Sequence, residues 1–210
     1  MTPERSRGRR AVDFLARLAF ELLIIFVGVY AAFALSQHRS EREADVRRYQ
    51  VREALIHEIE SITRNTRRVA ASTPLYLASF DSLINAGRRP VPQLFLEPIN
   101  IQTHMWETTL QSNALDLLDV PTVYRLSVFY NQLNQGFEQF YQIRMLSEQY
   151  FLPLLDEGAD GFYDETTGDL RPSFGWYRPS LRRLGSLAAD ITELGDTLAT
   201  ELRRDNEVRR

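Results

Sequence analysis

The stretch LAFELLIIFVGVYAAFALS, residues 18–36, constrains this chain more than any other. It carries a single charge, Glu21. As a helix rising ~1.5 Å per residue it spans roughly 28 Å, close to the ~30 Å hydrocarbon layer of a bilayer. A buried core helix can be as apolar, but it is rarely the most hydrophobic stretch of its chain and rarely follows an Arg cluster. Here Arg5, Arg7, Arg9, Arg10 and Arg17 precede it. The expectation is a transmembrane helix over 18–36 behind a basic tail, 1–17.

Ala32-Phe33-Ala34 has the small-x-small pattern of a signal-peptidase site. The apolar run is long for a signal peptide, however, and the helical pattern continues through residues 37–71 without a break. An uncleaved anchor is therefore expected. Arg39, Arg42, Arg47 and Arg48 on the exit side nearly balance the basic residues on the entry side. A short tail with four clustered Arg crosses a membrane poorly, whereas a downstream domain crosses readily. That places the N-terminus in the cytoplasm and the bulk of the chain in the periplasm. Within the span, Gly28 and Ala32 form a small-xxx-small pair suited to close helix packing. Glu21 lies one turn after Arg17, so the two read as a snorkelling pair at the membrane edge.

No proline falls between Pro3 and Pro74, which permits one helix of about 60 residues. Its later half has an apolar stripe of Val51, Leu55, Ile59, Ile62, Thr66 and Val69 at spacings of three and four. Glu53, His57, Glu60 and Arg64 fall on the other face, as i,i+4 pairs such as Glu60 with Arg64 rather than as metal ligands. Ser72-Thr73-Pro74 reads as the cap and first turn of a new helix, closed by Gly87. Three prolines mark residues 88–100 as loop. A helix follows over 103–112, with Asn113 as a break, and a long one over 121–155 with the stripe Leu126, Tyr130, Leu133, Phe137, Phe140, Phe151 and Leu155. These helices, residues 72–155, are expected to form a bundle, and the aromatics are expected to be its core.

Residues 156–179 open with DEGADGFYDETTGD, which has six acids and no base. Asp156, Asp160, Gly161 and Asp164 fit an EF-hand loop, but Gly158 and Thr167 occupy ligand positions, the latter where a bidentate Glu belongs. A solvated turn through Thr167-Gly168 is the simpler reading. The last helix, within 180–210, repeats Leu184, Leu187, Ile191, Leu194 and Leu198 over about two heptads, a seam for its own neighbours or for a partner. Arg203, Arg204, Arg209 and Arg210 complement that helix's C-terminus. The fold class expected is mostly α: a transmembrane helix continuing into a soluble bundle of long antiparallel helices.

Chemistry is hard to find in these residues. With no cysteine, thiol catalysis, Cys-zinc sites and disulfides are excluded. Net charge is −3, which argues against nucleic acid as a partner. There is no Gly-rich phosphate loop, no Gly-x-Ser-x-Gly elbow and no His-Glu-x-x-His. In QTHMWETTL, His104 and Glu107 lie one turn apart, but no Ser or Thr is placed to be activated by them. No catalytic residue, metal site or cofactor is expected.

The segments ELLIIFVGVYAAFALSQHRSER, ALIHEIES and TTLQSNALDLLD running into VYRLSVFYNQL resemble a family of small bacterial single-span membrane proteins of uncharacterised activity. Its span starts with an acidic residue and an aliphatic run around a Gly, then a charged helix and later a tyrosine-bearing helix. The likeness covers about two thirds of the chain. Members leave the membrane through an Asn- and Trp-containing stretch, where this chain has Ser36-Gln37-His38. The resemblance implies the architecture and the bacterial inner membrane, and no activity. The function expected is a non-enzymatic interaction or scaffold protein, self-associating through Gly28/Ala32 and the leucine seam. The alternatives are an accessory subunit of a larger membrane complex and, more weakly, a calcium-responsive or enzymatic domain.

Overall fold

A computed structural model of the chain describes the backbone of residues 5–93, 95, 101 and 103–208, and the side chains of these apart from 5–19, 113 and 208. Four α-helices account for most of them: α1 (Arg5–Asn85), α2 (His104–Gln111), α3 (Val120–Tyr150) and α4 (Tyr177–Val208). Short 3-10 helices occupy Asn113–Leu117, Leu152–Phe162 and Pro172–Phe174. The mostly α class is observed. The nearest approach to a strand among the described residues is one antiparallel bridge between Tyr163 and Leu170.

Two compact units divide the chain, Met1–Arg48 and Tyr49–Arg210, and α1 contributes to both. In the first, every side chain from Phe20 to Leu35 is exposed. This is the one stretch among the described residues long and apolar enough to cross a membrane, with a mean hydropathy of 1.8. Beyond it the helix becomes polar, with i,i+4 and i,i+3 contacts from Gln37 to Glu41 (3.3 Å) and Arg48 to Asp45 (2.5 Å).

The second unit packs the remainder of α1 against α3 and α4. Contacts fix the directions: Arg203, Thr192 and Arg178 of α4 meet Glu60, Thr66 and Asp81 of α1, while Glu201 and Tyr177 meet Arg125 and Phe151. Thus α4 runs opposite to both α1 and α3. The stripe expected on α1 is the buried one, with Leu55, Ile59, Ile62 and Thr66 inside. The three aliphatic residues join Leu126, Phe129, Tyr130, Leu133, Ile191 and Leu198 in one apolar cluster. A second cluster gathers Leu77, Phe80, Phe140, Phe151, Phe162, Tyr177 and Leu184. At its centre Phe151 meets Phe162, Phe174, Trp176 and Tyr177 with centroids 5.1–5.5 Å apart. Each such ring contributes about 1.5–3 kcal/mol by burial alone.

Two helix boundaries differ from those expected. Ser72-Thr73-Pro74 does not start a helix: α1 runs straight through Pro74. Pro74 removes the N–H that would bond the Ala70 carbonyl. Burial of Leu77 and Phe80 one and two turns later holds the helix together, so tertiary packing overrides the local signal. The Thr73 hydroxyl donates to the Val69 carbonyl at 2.8 Å. Gly87 closes the helix as expected, at φ +72, with Arg88 N–H bonded to the Leu83 carbonyl (3.0 Å) and Gly87 N–H to that of Ile84 (2.9 Å). At the other boundary α3 stops at Tyr150 rather than 155, because Pro153 cannot continue it, and Leu155 is exposed. Its start is as read: Asp119 caps the Thr122 N–H at 2.9 Å, ahead of Pro121 in the first turn.

Candidate functional site

A cavity of about 480 Å³ lies between the two apolar clusters. Leu133 and Ile191 of the first cluster and Phe140, Leu181 and Leu184 of the second line it, together with Gly136 and Ala188. Gly136 is the small residue at which α3 meets α4, since a Cβ there would sit 3.1 Å from Ile191 Cδ1. The opposite wall is α1, which presents Asn65, Arg68, Ser72 and Tyr76 at spacings of three and four. Arg68 and Ser72 are exposed and mark the mouth.

Most polar groups of that wall are already satisfied. Thr66 Oγ1 meets Thr192 Oγ1 at 2.9 Å, and Ser72 and Thr73 turn back to the Val69 carbonyl. Tyr76 and Tyr177 share a hydroxyl contact of 2.7 Å, and each accepts from Gln93 N–H at 2.8 Å. Burial first, then the Tyr76 hydroxyl, pushes the Tyr177 phenol far above its ordinary value. These phenols act as neutral clamps on the segment after Gly87, together with Tyr163, which donates to the Pro90 carbonyl at 2.7 Å.

A second polar node sits at α2. Glu58 of α1 accepts from Met105 N–H (2.8 Å) and Trp106 N–H (3.2 Å), two donors in the first turn of α2, and from the Tyr130 hydroxyl at 2.5 Å. A carboxylate there satisfies orphan donors and opposes the positive end of the helix. Burial, then the Glu58 hydrogen bond, drives the Tyr130 phenol well above the usual range. This arrangement fastens α2 to the bundle. Glu58 escapes sequence reading because its partners lie 47, 48 and 72 residues away. Its only signal is an acid flanked by Leu55 and Ile59.

The side chains singled out by sequence are scattered rather than gathered. Gly28 and Ala32 lie on the exposed apolar helix, and nothing comes within 4 Å of a Cβ built on Gly28. Glu21 is exposed, whereas the Arg17 side chain lies outside the described residues, and so does the expected pair. Of the seam, Leu184, Ile191 and Leu198 are buried among the chain's own helices, Leu187 is half-buried and Leu194 is 36% exposed. Glu60 pairs with Arg203 of α4 rather than with Arg64. His57 lies 3.7 Å from Glu53. His104 is exposed, and Glu107 accepts from Thr103 Oγ1 at 2.9 Å. Arg209 and Arg210 lie outside the described residues.

The acidic loop disperses its carboxylates. Asp160 pairs with Arg89 at 2.7 Å and Glu157 with Arg171 at 3.7 Å. Asp164 receives the Thr166 hydroxyl and the N–H groups of Thr166 and Thr167, which hold its carboxyl below the usual range. The turn closes through Gly168 at φ +74, with Asp164 N–H donating to the Asp169 carbonyl at 2.8 Å. Among the described residues no three His, Asp or Glu side chains converge as a metal site would require.

No family model, curated protein or solved structure matches the chain.

Proposed function

We propose that this chain is a single-span membrane protein that displays a helical domain for protein–protein contact and performs no catalysis. The observation that carries the reading is the apolar surface of α1. Its side chains from Phe20 to Leu35 are all exposed, Phe26 at 72%, over a length matching a bilayer. In water such a surface is a large liability, and a bilayer removes it. The basic residues before it favour a cytoplasmic N-terminus, which puts the domain from Tyr49 in the periplasm of a bacterial cell.

Two surfaces suit association. Gly28 and Ala32 offer a small face for a second span, in a homo-oligomer or at the rim of a larger complex. On α3, Val120, Tyr124 and Val128 are exposed at i, i+4 and i+8, an apolar row on the outer face of the helix. Most of the leucine seam is instead turned inward, with Leu194 its most exposed member at 36%.

The test is to purify tagged full-length protein from native membranes in mild detergent and weigh the intact assembly. A homo-oligomer or a stoichiometric complex with foreign subunits supports the reading, and the latter makes the chain an accessory subunit. A monomer that yields no crosslinked partner in intact cells contradicts it. A reporter fused after Arg210 that is active only in the cytoplasm overturns the orientation.

A further inference from the structure

We propose that the cavity between the two apolar clusters binds one long-chain fatty acid, with its chain against α3 and α4 and its carboxylate at Arg68. The cavity, at about 480 Å³, falls in the range of small-molecule sites. Its composition is one-sided. Leu133, Phe137, Phe140, Leu184 and Ile191 offer only hydrocarbon on the α3–α4 wall. On the α1 wall the hydroxyls of Thr66, Ser72, Thr73 and Tyr76 are bonded within the protein. A ligand polar along its length would therefore lose hydration without a partner for each group, at a cost of about 1–3 kcal/mol per group.

Charge fixes the remaining feature of the ligand. Among the described lining residues Arg68 is the one charged group, and none of them is a carboxylate. Arg68 sits at the mouth, and Asn65 lies one turn before it on the same face. Together they present a guanidinium and an amide to a single anionic head. The row from Asn65 to Tyr76 runs for roughly 16 Å along α1, so the α1 wall offers the length of an extended alkyl chain. One acyl chain suits a volume of about 480 Å³, whereas the two chains of a diacyl lipid exceed it. The inference is independent of whether the domain also contacts proteins.

The test uses full-length protein in lipid nanodiscs with palmitic acid carrying a diazirine on its chain, followed by peptide mapping of the photo-adducts. The expected adducts lie on α3 and α4, at Phe137, Leu184 or Ile191, and excess unlabelled palmitate removes them. Arg68→Glu, at an exposed site that leaves packing untouched, weakens this labelling about threefold or more. Ala188→Trp, which fills the slot, abolishes it while adducts on residues 20–35 persist. Should Ala188→Trp fail to fold by circular dichroism, Arg68→Glu decides. Adducts confined to residues 20–35 overturn the proposal. Equal cavity labelling by an uncharged alkyl alcohol probe, or stronger labelling by a diacyl phospholipid probe, overturns it also.

Discussion

The indole of Trp106 lies flat against the ring of Tyr130, with centroids 5.0 Å apart and planes within 1° of parallel. The stack joins α2 to α3, and Glu58 of α1 binds both residues at once, through the backbone N–H of Trp106 and the Tyr130 hydroxyl. Three helices thus meet at one carboxylate. Glu58→Ala removes a charge-assisted cap and strands buried donors, and should cost about 2–3 kcal/mol. Tyr130→Phe should cost about 1 kcal/mol, and much less once Glu58 is gone. A double-mutant cycle by chemical denaturation measures the coupling, and additive losses would refute the shared node.

Two glycines of α4 should respond to alanine with opposite sign. A Cβ on Gly195 would press on the Thr63 hydroxyl and come within 3.0 Å of Phe129 Cε2. Overpacking of this kind costs about 1–3 kcal/mol, more than the ~1 kcal/mol that alanine gains in helix propensity. At Gly185 the nearest atoms belong to Thr73 at 3.4 Å, an ordinary contact, so the propensity gain prevails. Thermal melts of Gly195→Ala and Gly185→Ala should move down and up respectively.

Alkali should loosen the domain through its buried phenols. Burial pushes Tyr163 up to about 12, against an ordinary value of 10.0, although Arg178 and Arg89 oppose the shift. Between those values the folded state keeps a proton that the unfolded state has lost. Its contribution is complete below pH 10.0 and disappears as pH rises through about 12. Tyr163→Phe should flatten the stability profile across that window. An unchanged slope would assign the loss to Tyr130 and Tyr177 instead.

Pro74 tests how far packing outweighs local preference. A mid-helix proline costs ~3 kcal/mol in an isolated helix, partly offset by its stiffening of the unfolded chain. Pro74→Ala should therefore stabilise the protein by about 1–2 kcal/mol, read by thermal denaturation. Destabilisation would show that the helix depends on the proline-induced geometry between Thr73 and Gly185.

The legible parts of this fold are the periodic ones. Leu55, Ile59 and Ile62 declared their buried face by spacing, and Gly87 its turn by chemistry, because both signals are local. Pro74 misled for the same reason: Leu77 and Phe80 hold the helix through contacts with distant residues. Leu184 and Ile191 were legible as an apolar seam. Their place beside a cavity was not, because an unfilled volume depends on how three helices fail to close rather than on any one of them. Glu58 was hidden because a carboxylate's role depends on which helix end arrives beside it.

The most direct test of membrane anchoring is alkaline carbonate extraction of membranes that contain the full-length chain. Anchoring through the exposed apolar helix predicts that the protein stays in the pellet, and that replacing Ile24, Val27 and Val29 with Arg releases it. Release of the unaltered chain into the carbonate supernatant would contradict a membrane span.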